Sequence, residues 1–184
     1  MEEPIVTELF QPVFTHPCWG LHYRRQLNLS INFGSPSLEI IREPIASKSR
    51  LKSVREHAAR RIVALRGEWW LWIYHCYWNI STKNTLFATG SSSSKKLANA
   101  LLHLEGEKMT SVQFDAKRGV TEFSFDLGTT LTCRPMTEEP EGELWLFYRP
   151  DGHVAVAKRD GTVVVEKADQ STSAESVGPS GSSR

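Results

Sequence analysis

The sequence predicts an α+β protein: a single domain built on a strongly curved antiparallel β-sheet, or a partly open barrel, with one helix packed against it. Three observations carry that expectation. Apolar residues alternate with period two through most of the chain. Short alternating runs are separated by Gly, Asp-Gly and Pro turns at a spacing of roughly ten residues, the pattern of an antiparallel meander. One stretch, Lys95–Leu104, has helical spacing instead, with Leu97, Leu101 and Leu104 at i, i+4 and i+7.

The elements follow in chain order. Residues 1–11 carry little periodicity and are expected to be a lead-in packed over a domain at residues 12–167. Trp19, Leu21, Tyr23, Leu27, Leu29, Ile31 and Phe33 all fall on odd positions, which predicts one long half-buried strand, bent near Arg24–Gln26. Gly34-Ser35-Pro36-Ser37 supplies turn chemistry, so Leu38–Arg42 is expected to return as the second strand of a hairpin. Ser47–Arg61 has Leu51, Val54, Ala58 and Ile62 near helical spacing, and both a short basic helix and an extended segment remain open there.

Gly67–Ile80, GEWWLWIYHCYWNI, is apolar on both parities and rich in aromatic and β-branched residues, so it is expected to be one central strand covered on both faces. Ser91–Ser94 is a polar loop with a serine placed to cap the Lys95–Leu104 helix, and Gly106 stands where helices end. From Val112 to Val165 alternating strands are divided by Lys117-Arg118-Gly119, Gly128, Arg149-Pro150-Asp151-Gly152 and Asp160-Gly161. Residues 168–184 are rich in Ser and Gly and too poor in apolar side chains to order themselves.

Composition bounds the function. The chain of 184 residues has a formal net charge of +1, which does not drive it onto nucleic acid or membrane. Three widely spaced cysteines, Cys18, Cys76 and Cys133, without a C-x-x-C pair argue against a disulfide framework and for a reducing compartment. The acidic N-terminus lacks the features of a signal peptide, and the Trp69–Trp78 run is about half the roughly 20 residues that span a bilayer. A cytoplasmic protein is expected.

Catalytic chemistry finds little support. His16, Cys18 and His22 have an H-x-C-x3-H spacing, but Pro17 disturbs the strand and no second ligand pair follows, so no metal is expected. His75 and Cys76 are adjacent and would face opposite ways, so a nucleophilic Cys76 would need a remote His22 or His103; a small buried thiol is the plainer reading. Asp115, Asp126 and Asp151 sit at strand ends or turns, where Asp serves backbone hydrogen bonds. No phosphate-binding glycine loop, G-x-S-x-G or H-E-x-x-H motif is present. The chain is therefore expected not to be an enzyme and to need no cofactor.

Charge distribution is more informative. Lys48 to Arg66 is basic, and Glu138, Glu139, Glu141 and Glu143 form an acidic loop. Arginines and aromatics set among charges are the usual anchors of protein interfaces, which points to Arg50, Arg55, Arg60, Arg61, Trp69, Glu138, Glu139 and Glu141 as partner-binding residues. The same arginines beside aromatic rings allow a single-stranded nucleic-acid or nucleotide-binding β-domain as the alternative.

The segments LNLSINFGSPSLEIIREP, WWLWIYHCYWNI, FSFDLGTTLTCRP and ELWLFYRPDGHVAVAKRDG resemble small uncharacterised bacterial proteins, some of them similar to immunity proteins of polymorphic toxin systems. The resemblance spans Trp19 to Gly161 and rests on strands, tryptophans and Asp-Gly turns, so it assigns no functional residues. The lack of catalytic motifs and the charged surfaces predict a non-enzymatic binding protein that neutralises or sequesters a protein partner, and the resemblance implies a toxin-immunity protein as its specific form.

Overall fold

A computed structural model describes residues 3–24, 28–74, 76–83, 85–136 and 142–168. Its elements are α1 (Glu3–Phe10), a 3-10 turn (Gln11–Thr15), β1 (Trp19–Arg24), β2 (Asn28–Arg42), α2 (Lys52–Ala58), β3 (Ile62–Ile73), β4 (Tyr77–Thr82), β5 (Thr85–Thr89), α3 (Ser94–Leu104), β6 (Met109–Asp115), β7 (Val120–Phe125), β8 (Thr129–Arg134), β9 (Glu143–Tyr148), β10 (His153–Lys158) and β11 (Val163–Lys167). The class is α+β, as expected, but there are two antiparallel sheets rather than one curved sheet, and no closed barrel among the described residues. The strand orders are β1-β2-β3-β9-β10-β11 and β5-β4-β8-β7-β6. The described residues divide into two compact units, one drawn from residues 1–35 and 67–167 and the other from residues 36–66. The expected tail lies, from residue 169 onward, outside the described residues.

In the larger unit both sheets contribute to one core. Leu71, Ile73, Trp145 and Phe147 come from the six-stranded sheet, and Trp78, Ile80, Phe123 and Leu131 from the five-stranded one. Phe10 of α1 joins them: its ring stacks on Phe147 at 4.1 Å and meets Trp145 at 5.3 Å and Phe123 at 5.5 Å edge-on. Offset and edge-on pairs of this kind add about 0.5–1.5 kcal/mol each beyond burial. Trp145 brings its indole N–H into the core and satisfies it by donating to Thr121 Oγ1 at 2.8 Å, which ties β9 to β7.

The helix at Lys95–Leu104 is borne out as α3, with Leu97, Ala100, Leu101 and Leu104 buried. Ser93 occupies the N-cap position without a side-chain cap, while Ser92 Oγ accepts a hydrogen bond from Thr89 N–H at 3.0 Å. Gly106 has φ +92°, a conformation glycine adopts without strain, and so carries the chain out of the helix. The β6-β7-β8 and β9-β10-β11 meanders follow the turns anticipated from the sequence.

Four expectations are corrected. The aromatic stretch is not one strand: β3 ends at Ile73 in the six-stranded sheet, and β4 starts at Tyr77 in the other. Between them Tyr74 N–H donates to Leu144 C=O at 3.0 Å. The single long strand expected from Trp19 to Phe33 is two antiparallel neighbours, since Arg24 pairs with Asn28 and Tyr23 with Leu29 across β1 and β2, while the expected bend falls on residues 25–27, outside the described residues. The expected turn at Gly34–Ser37 is instead interior to β2, which runs unbroken to Arg42. Finally, three α-helices form among the described residues rather than one, because α1 buries Val6 and Phe10 and the Ser47–Arg61 stretch contains α2, with β3 starting just beyond it at Ile62.

Gly34 still needs to be glycine, for a reason other than a turn. Its φ is +75°, and a Cβ there would lie 2.8 Å from the Trp69 ring. This close approach lets Trp19 Nε1–H donate to Gly34 C=O at 2.9 Å and Ser35 N–H donate to Glu68 Oε2 at 2.9 Å.

Candidate functional site

Among the described residues, the titratable groups singled out by the sequence lie in separate surroundings, apart from the neighbouring thiols of Cys76 and Cys133. Cys18 is buried and its thiol donates to Leu104 C=O at 3.1 Å. Burial pushes the thiol up to about 12, so Cys18 is held as a protonated thiol. The His16 ring lies against Trp69 at 5.2 Å, and His22 is exposed. Among the described residues no three His, Cys, Asp or Glu side chains could hold a metal ion.

Cys76 and Cys133 are both buried free thiols. Cys76 Sγ donates to Leu144 C=O at 3.5 Å. Burial first, and the neighbouring Cys76 second, push the Cys133 thiol well above its ordinary range. Neither burial nor a nearby thiol activates a nucleophile; both oppose thiolate formation. His103 packs edge-on against Phe87 at 5.5 Å, and His75 lies outside the described residues.

The aspartates hold turns. Asp115 accepts from Lys117 N–H at 3.0 Å and Arg118 N–H at 3.2 Å, and its ion pair with the Arg118 guanidinium lowers its carboxyl below the usual range. Asp126 accepts from Lys108 N–H at 2.8 Å, and Asp151 from His153 N–H at 3.1 Å. A buried carboxylate that sequence reasoning missed, Glu107, accepts from Thr129 Oγ1 at 2.7 Å and Thr129 N–H at 3.3 Å. All of these bonds fix the backbone of the larger unit.

Aromatic side chains of the larger unit are also committed to one another. Trp70 stacks on Tyr148 at 4.6 Å and on Trp72 at 5.7 Å, and Trp72 meets Tyr74 at 4.7 Å. Trp69, expected to bind a partner, is half-buried and packed against the core.

The smaller unit differs in kind. Residues 36–66 contain eight Lys and Arg against three Glu, a formal +5, and no Phe, Tyr or Trp. Several of the cations are used internally. Arg61 pairs with Glu43 at 2.9 Å, Arg66 with Glu39 at 3.0 Å and Lys52 with Glu56 at 3.6 Å. Arg55 Nη1 donates to Ser49 C=O at 2.8 Å and Arg50 C=O at 3.0 Å, bracing the chain ahead of α2. Lys48, Arg50 and Arg60 have no ion pair among the described residues. Glu138, Glu139 and Glu141 lie outside the described residues.

Between these cations the unit exposes aliphatic side chains. Of twelve exposed large hydrophobic residues among those described, seven are Leu38, Ile40, Ile45, Leu51, Val54, Val63 and Leu65. Strand side chains alternate between faces. Because Glu39 of β2 and Arg66 of β3 meet on one face, Leu38 and Ile40 share the opposite face with Val63 and Leu65. Their alternation was visible in the sequence, but alternation reports a face that is apolar, not whether anything covers it.

No helix among the described residues is long and apolar enough to cross a membrane. No protein-family model, curated protein or solved structure matches the chain.

Proposed function

We propose that the chain is a non-enzymatic binding protein that sequesters or neutralises a protein partner, and that it holds an acidic surface of that partner on residues 36–66. The observation that carries this reading is the combination, in one short unit, of a +5 charge with seven exposed aliphatic side chains. Exposed apolar patches set among polar groups mark interaction sites, and unpaired cations speed encounter with an anionic surface. Aliphatics also favour protein over single-stranded nucleic acid, since base stacking needs aromatic rings and this unit has none. A toxin-immunity protein is the specific form of the reading that the resemblance suggests.

The test is capture of partners by the full chain after nuclease treatment, with mass spectrometry, beside a variant carrying Arg50→Glu and Arg60→Glu. These two arginines are chosen because Arg55 and Arg61 already serve internal contacts. The reading expects one stoichiometric protein that survives nuclease and is lost by the variant. Recovery of RNA or DNA alone, or a protein captured equally by the charge-reversed variant, overturns it.

A further inference from the structure

Open strand edges lie in the same unit. β9 pairs with β3 only at Trp70–Ile73, and β1 pairs with β2 only as far as Asn32. Beyond those points β2 and β3 neighbour each other, and each has no further strand partner among the described residues. An open edge presents unpaired backbone N–H and C=O groups to any extended chain that reaches it. The two edges are not equally accessible. The β2 segment is bracketed by Pro36 and Pro44, and proline removes a donor and blocks pairing. The β3 segment Ile62–Leu65 contains no proline or glycine and no charge.

We propose that the partner enters as an added β-strand on the edge of β3 at Ile62–Leu65, and that the added strand alternates acidic and apolar residues. The inference rests on the acidic-partner reading and specifies its mode. Val63 and Leu65 are 51% and 55% exposed, so apolar residues of the new strand would extend the face already made by Leu38 and Ile40. Its acidic residues would meet Arg60, which lies just before the edge and has no ion pair among the described residues. Charge also decides between occupants. A second copy of this chain would bring another +5 unit to the same edge, and like charges facing each other oppose that pairing.

Three labelled eight-residue peptides test the mode against the full chain by fluorescence anisotropy. One alternates Val and Glu; one has the same composition in two blocks; one is the alternating peptide with every peptide nitrogen methylated. Strand addition expects the alternating peptide to bind at least about tenfold more tightly than the other two, because they lack the pattern or the backbone donors. Hydrogen exchange should then slow at Ile62–Leu65. Equal binding of all three overturns strand addition while leaving the acidic-partner reading intact. Failure of all three to bind overturns strand addition, and the charge-reversal capture then decides the reading separately. A dimer of the chain that protects Ile62–Leu65 without peptide places a second copy on the edge and overturns the proposal.

Discussion

The two units handle their side chains in opposite ways. In residues 1–35 and 67–167 most of the large apolar groups are interlocked in one core, and buried polar groups there are tied to one another, as with Trp145 and Thr121 or Glu107 and Thr129. In residues 36–66 seven large aliphatics are exposed and only part of the positive charge is neutralised. A protein that works by its own packing has no use for the second arrangement. The lesson is that stability and function here should respond to different residues, and substitutions can separate the two.

The largest effect should come from the core. Phe10→Ala removes a ring that touches three others and should cost about 3–5 kcal/mol in denaturant unfolding. A loss below about 1 kcal/mol would mean that α1 is not part of the core. Next is a pH effect. Burial raises the folded Cys18 thiol from 9.0 to about 12, so its stabilising contribution is complete below pH 9 and is lost as pH climbs from 9 towards 12. The loss should approach about 1.4 kcal/mol per pH unit, and Cys18→Ala should flatten that slope relative to the unsubstituted chain.

Thr121→Val should cost about 1–3 kcal/mol, because it leaves the buried indole N–H of Trp145 without its acceptor. The smallest effect belongs to the other unit. Leu38→Thr and Val63→Thr keep the strand preference of their positions, and at 74% and 51% exposure each should change stability by no more than about 0.5 kcal/mol. A loss comparable to that of Thr121→Val would show these aliphatics to be packed and would remove the contrast between the units.

Much of the fold was legible, and where it was not the cause is specific. The α3 helix and the β6–β11 meanders were readable because period and turn chemistry agree there. The β1–β2 reversal was hidden by parity. Tyr23 pairs with Leu29, so odd residues on both strands share a face, and the alternation passes through the reversal as though the strand were continuous. The crossing from β3 to β4 was hidden for the opposite reason. Leu71 and Ile73 face the core before it, and Cys76, Trp78 and Ile80 after it, so the inward parity switches. A stretch that is apolar on both parities cannot register that switch. In the candidate site, the basic charge was visible in sequence, but the internal use of Arg55 and Arg61 and the exposure of Leu38, Ile40, Val63 and Leu65 depend on tertiary neighbours.

The central claim is that residues 36–66 form the working surface of the protein. Partner recovery by the full chain is compared with recovery by the chain carrying both Leu38→Thr and Val63→Thr, after nuclease and at matched concentrations of folded protein. The predicted result is an unchanged circular dichroism spectrum with at least about tenfold less partner retained, since two apolar contacts are lost from the interface. Equal recovery of the same partner by the folded double variant would contradict the account.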